Sequence, residues 1–106
     1  MPISEEQVRE AEDKYGRVAH VKGSGGTWEI LLRKPTRPEY RMFRSKSKNP
    51  NTEADAQEDL VRLLSLAPPR GPELDALLDE WPAIPEACSK ALLHLMGLQV
   101  EQDTGL

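Results

Sequence analysis

Thr27-Trp28-Glu29-Ile30-Leu31-Leu32-Arg33-Lys34-Pro35-Thr36-Arg37-Pro38-Glu39 carries a complete change of backbone habit in one short run. Trp28, Ile30 and Leu32 alternate with Thr27, Glu29, Leu31 and Arg33. That period of two marks a half-buried strand with one face toward a core. Pro35 ends the strand, because proline has no N–H to offer a ladder. Thr36 then fits a helix N-cap, Pro38 sits in the first turn, and Glu39 closes a capping box with Thr36. A strand handing over to a capped helix sets the fold class as α+β.

Upstream, residues 17–22 read as a first strand. Gly23-Ser24-Gly25-Gly26 joins it to the second, with three glycines free to take positive φ. Two strands alone are marginal in water, so helices or a partner strand must cover their apolar face. Residues 4–15 predict an N-terminal helix. Ser4 and Gln7 form a capping box, Val8, Ala11 and Tyr15 share a face, and Gly16 is the stop.

Downstream, four short helices are expected. The first carries Tyr40 and Phe43, with Met42 beside them. Thr52 opens the second, to about Ala67, with a stripe of Ala56, Leu60, Leu63, Leu64 and Ala67. The third runs from about Pro72 to Trp81 with Leu74, Leu77, Leu78 and Trp81 on one side. Pro82 stops it. The fourth runs from about Ile84 to Met96 with Cys88, Ala91, Leu92 and Leu95, and Gly97 ends it. The expected architecture is a single α+β domain over residues 1–97, an N-terminal helix and a β-hairpin packed on about four short helices. Residues 98–106 read as a flexible tail. Trp28, Ile30, Leu32, Leu60, Leu64, Leu77, Trp81 and Leu92 are expected to share one core.

Composition narrows the chemistry. The chain has 106 residues, 38% hydrophobic and 30% charged, with one cysteine. A lone cysteine forms no internal disulfide, so nothing implies an oxidising compartment. Met1-Pro2-Ile3-Ser4-Glu5-Glu6 is neither a secretory signal nor a transit peptide, and no apolar run is long enough to span a membrane. A cytoplasmic protein is the expectation. His20 and His94 have no metal-ligand partners at helical spacing, and there is no Cys-x-x-Cys. Both read as surface residues, and Cys88 as a small core residue. The glycine loop precedes a strand and lacks a following Gly-Lys-Ser/Thr, so it is a turn rather than a phosphate loop. No catalytic constellation, metal site or cofactor is expected.

The charge is segregated, although the net value is only −4. Residues 33–48 hold seven bases (Arg33, Lys34, Arg37, Arg41, Arg44, Lys46, Lys48) and one acid, Glu39. Residues 53–103 hold eleven acids and three bases. Arg37, Arg41 and Arg44 fall at i, i+4, i+7 and form a basic face. It could touch phosphates, but the acidic half would repel a nucleic-acid backbone. Pairing with an acidic surface of this chain or a partner is the other use for it. Asp75, Asp79 and Glu80 lie opposite the leucines of their helix, a solvated acidic rim. The leucine stripes themselves suggest a shallow groove for a partner helix, lined by Leu74, Leu77, Trp81, Ile84, Leu92 and Leu95.

The run from Trp28 to Phe43 (Trp-Glu-Ile-Leu-Leu-Arg-Lys-Pro-Thr-Arg-Pro-Glu-Tyr-Arg-Met-Phe) resembles a pattern in the tail assembly chaperones of long-tailed phages and phage-like elements. There a strand ends in an Arg-x-Pro-Thr-x-x-Glu-Tyr-like turn into a helix. A helix like residues 56–67 follows, then an element like Leu77-Leu78-Asp79-Glu80-Trp81-Pro82, and a last Ala/Leu-rich helix ending near Gly97. The similarity spans residues 27–97. It implies a non-catalytic protein of virion morphogenesis that holds the tape-measure protein soluble and recruits tail-tube subunits. The alternative is a small adaptor or regulatory module of a prophage or bacterial system, linked to nucleic acid through the basic helix.

Overall fold

The computed structural model describes residues 3–97. Residues 98–106, expected as a tail, lie outside the described residues. The element order is α1 (Glu5–Tyr15), β1 (Val18–Lys22), β2 (Glu29–Arg33), α2 (Arg37–Lys48), α3 (Glu53–Leu64), β3 (Ser65–Ala67), α4 (Pro72–Glu80) and α5 (Ile84–Leu95). The fold is α+β, as the sequence indicates.

Local chemistry explains where the helices begin. At α1, the Ser4 hydroxyl accepts the Gln7 N–H at 3.1 Å, and the Gln7 side chain accepts the Ser4 N–H at 2.8 Å. At α2, the Thr36 N–H donates to Glu39 Oε1 at 2.8 Å while the Glu39 N–H donates to the Thr36 hydroxyl at 3.4 Å. Both reciprocal boxes satisfy donors that a helix start leaves orphaned. Thr52 precedes α3 but does not cap it. Its hydroxyl instead donates to the Lys46 carbonyl at 2.8 Å, clamping α3 against the end of α2.

The sheet has three antiparallel strands in the order β1-β2-β3. Val21 faces Ile30 and Ala19 faces Leu32 across the hairpin. The third strand departs from the sequence reading, which ran the second long helix on to Ala67. The helix stops at Leu64, and Ser65–Ala67 pairs with β2 through Leu32↔Ser65 and Leu31↔Ala67, with a bulge between. Pairing with β2 gives these residues ladder bonds in place of another helical turn, and it covers the open edge of β2.

One face of the sheet carries the main core. Ile30 and Leu32 meet Leu60, Val61, Leu64, Leu74, Leu78, Ile84, Cys88, Leu92 and Leu95, all buried. Trp28, Leu77 and Trp81 are partly buried against this cluster. All eight residues expected to share a core do so. On α3 the stripe is rotated from the expected one: Val61 is fully buried and Leu63 is 41% exposed. On α2, Phe43 is half-buried and Met42 is 59% exposed.

The opposite face of the sheet is covered too. The helix α1 packs across β1 and β2. Leu31, whose alternation suggested the polar side, is therefore only 2% exposed, and Ala11 of α1 is buried. Tyr15, expected on that buried face, is 42% exposed, with Lys14 Nζ 5.4 Å from its ring centre.

The glycine loop forms a 3-10 turn at Ser24–Gly26. Gly25 and Gly26 take positive φ, 64° and 73°, whereas Gly23 sits at −80°. Gly23 is needed for a different reason. The Trp28 indole lies directly on its Cα, so a Cβ there would overlap Nε1, Cδ1 and Cε2. The Gly23 N–H also donates to the Trp28 carbonyl at 2.8 Å, closing the hairpin end.

Candidate functional site

The indole held by Gly23 forms part of a cleft of about 670 Å³. Four segments meet there: the start of α1 (Ile3, Gln7), the hairpin end (Gly26 to Glu29), the exit of β3 (Ala67, Pro68, Pro69) and one face of α4. Two prolines beside Trp28 and Leu77 give it an apolar, stiff lining. The Ser65 hydroxyl, donating to the Pro68 carbonyl at 2.6 Å, fixes the bend that brings the prolines in.

The α4 wall follows from helical spacing. Glu73, Ala76, Leu77 and Glu80 recur at i, i+3, i+4, i+7 and so share one face. All four line the cleft. Glu29 adds a third carboxylate from the hairpin, and no Lys or Arg is among the lining residues. Glu29 Oε1 lies 2.7 Å from His20 Nε2 and accepts the Ile3 N–H at 3.4 Å. Above all, the hydrogen bond from His20 holds the Glu29 carboxyl below its ordinary pKa. The cleft sets Trp28, Leu77, Pro68 and Pro69 beside three carboxylates, with Gln7 and Thr27 also in its lining.

The groove expected between the leucine stripes is a correction. Leu74 and Ile84 are fully buried, and Leu92 and Leu95 nearly so. The stripes of α3, α4 and α5 close on one another and on the sheet, because together they supply just the apolar surface that the main core consumes. Of the six residues, Leu77 and Trp81 stay half-exposed, and Leu77 lines the cleft. The acidic rim also divides. Asp75 pairs with Arg62, which donates to Glu58 as well, tying α4 to α3. Asp79 and Glu80 are exposed, and Glu80 reaches the cleft.

The basic stretch divides in the same way. Arg33 is bound to Glu39, and Lys46 reaches Asp59 at 3.3 Å. Arg37, Arg41, Arg44 and Lys48 are exposed along α2, and none of them has an ion-pair partner among the described residues. A second, smaller hollow lies at the start of this helix, lined by Lys34, Pro35, Thr36, Arg37, Tyr40 and Met96.

His20 is therefore half-buried, its Nε2 2.7 Å from Glu29 Oε1, rather than a free surface residue, while His94 is exposed. Burial pushes the Cys88 thiol up to about 12, so at neutral pH it is protonated and unreactive. Sequence reading missed Glu73 and Trp28 as cleft residues. The Glu73/Ala76/Leu77/Glu80 spacing was available as a signal; the meeting of α4 with the hairpin end was not.

No helix among the described residues is long and apolar enough to cross a membrane. No protein-family model matches the chain, and no curated protein matches it. The chain is similar to one solved structure, an uncharacterised protein, rbstp2171, from Bacillus stearothermophilus. The TM-score is 0.69 at 19% identity, over 92% of this chain and 98% of that one. At that identity the likeness speaks for the shared fold.

Proposed function

We propose that the protein is a non-catalytic binding protein of phage tail morphogenesis, a tail assembly chaperone acting in the host cytoplasm. It would hold a segment of the tape-measure protein in the cleft beside Trp28 and present it to tail-tube subunits. The cleft is the observation that supports this reading. Trp28, Leu77, Pro68 and Pro69 offer apolar area, and Glu29, Glu73 and Glu80 surround it without a lining cation. Such a site favours an apolar segment flanked by Lys or Arg. Apolar burial would supply most of the affinity, and the carboxylates would speed encounter and fix orientation. The motif from Trp28 to Phe43 links this chemistry to the tail-chaperone family by resemblance.

The test is co-expression with a tape-measure fragment from a long-tailed phage. Glu73→Lys/Glu80→Lys changes only exposed positions, so the fold is retained. The wild type is expected to raise the soluble fraction of the fragment several-fold over the variant. Equal solubility with either protein would sink the proposal.

A second reading rests on the exposed row Arg37, Arg41, Arg44 and Lys48: an adaptor linked to nucleic acid. Negligible retention of DNA at physiological salt is expected, since a short row on a chain of net charge −4 releases few counterions. Tight, salt-sensitive retention lost in Arg37→Ala/Arg41→Ala/Arg44→Ala would promote it.

A further inference from the structure

We infer that the free protein associates with itself head to tail, the basic row of α2 on one copy seated against the acidic α4 wall of the cleft on another. The inference uses the cleft of the proposed function but stands on charge and spacing, independently of any client.

Both halves of the contact are on one chain. On α2, Arg37, Arg41, Arg44 and Lys48 fall within about 60° of one another around the helix at 100° per residue. All four are exposed, and the carboxylates of Glu39 and Asp59 are paired with Arg33 and Lys46. On α4, Glu73 and Glu80 bracket Ala76 and Leu77 along one face, with Glu29 across the cleft. Arg37 to Arg44 and Glu73 to Glu80 are both seven-residue steps, so each charge pair spans about 10.5 Å along its helix. Arg37 with Arg44 and Glu73 with Glu80 are therefore opposite in sign and equal in spacing. Tyr40 is half-buried next to the Arg row and gives the contact an aromatic neighbour for the apolar cleft.

The geometry is heterologous, since two different surfaces meet. In a pair, one copy keeps its cleft open and the other keeps its row open, so the contact extends into a chain or closes into a ring. Net charge does not oppose it, because the opposed charges lie on separate faces. Self-association also covers the cleft, so a client must displace a neighbour to enter.

Sedimentation velocity over a range of protein concentration, at low and high salt, tests this. The wild type is expected to gain mass with concentration at low salt and to revert to monomer at high salt. Arg41→Glu/Arg44→Glu and Glu73→Lys/Glu80→Lys should each be monomeric, with unchanged circular dichroism. An equimolar mixture of the two variants should assemble again, because each acidic surface then meets a basic one. A wild type that stays monomeric at low salt, assembly unaffected by reversal, or a mixture that fails to assemble would each overturn the inference. So would capture of nucleic acid by the Arg row without self-association. A monomeric wild type that still solubilises the tape-measure fragment overturns the inference and leaves the proposed function. An assembling protein that solubilises nothing does the reverse.

Discussion

Arg33 and Glu39 form a two-pronged ion pair, Nη1 to Oε1 at 2.9 Å and Nη2 to Oε2 at 2.8 Å, joining the end of β2 to the first turn of α2. The same Oε1 accepts the Thr36 N–H, so one carboxylate caps the helix and fixes the angle at which it leaves the sheet. Hydrogen bonds from Arg33, with help from Thr36, draw the Glu39 carboxyl from 4.5 down to about 2.

Glu39→Gln is therefore expected to cost about 1.5–3 kcal/mol at neutral pH, the range for hydrogen bonds to charged groups. The pH dependence has a definite sign. A carboxyl with a depressed folded pKa stabilises the native state above its unfolded value and loses that contribution as pH falls through the folded one. The difference between wild type and variant should be full above about pH 5 and shrink between the ordinary 4.5 and about 2. Urea unfolding at several pH values measures it; a constant gap across that window would refute the assignment.

Gly23→Ala tests the seat of the indole. A methyl group at that position collides with the Trp28 ring, so the ring must leave or the hairpin end must open. Overpacking of this kind costs about 1–3 kcal/mol. Trp28 forms part of the cleft, so the variant should also show red-shifted tryptophan emission and weaker capture of an apolar cationic peptide. Unchanged emission would mean that the ring is not held there.

Core and surface methionine or leucine positions should separate cleanly. Leu74 is fully buried, and Leu74→Ala is expected to lower stability by about 2–5 kcal/mol. Met42 is 59% exposed, and Met42→Ala should stay within about 0.5 kcal/mol. Denaturation midpoints compare them directly. A near-neutral Leu74→Ala would reopen the idea that the α4 leucines form a groove.

Both capping boxes were legible in the sequence because they depend on residue types at fixed local spacing. The leucine faces of α4 and α5 were legible for the same reason. The strand Ser65–Ala67 was not. Ala67 continues the helical stripe of Leu60, Leu63 and Leu64, and only the distant edge of β2 gives these residues a better set of hydrogen bonds. The rotation of α3 that buries Val61 and exposes Leu63 depends likewise on where α2 and α5 lie. For the candidate site, the α4 row could be read from its spacing. Its opposite wall of Trp28, Pro68 and Pro69 is assembled by tertiary folding, and surplus leucine was mistaken for a groove that the core in fact fills.

The pairing of β3 with β2 has a consequence for the order of folding. Leu32 and Ser65 stand 33 positions apart, and an unstructured loop of that length is slow and entropically costly to close. Here the intervening chain is itself a helical hairpin. When α2 and α3 dock, with Thr52 clamping the joint between them, their outer ends return side by side. Most of the chain entropy of bringing β3 home is then already gone. The β1–β2 hairpin and the α2–α3 pair can each form from near neighbours in the chain, leaving the third strand to join as a late and largely prepared step.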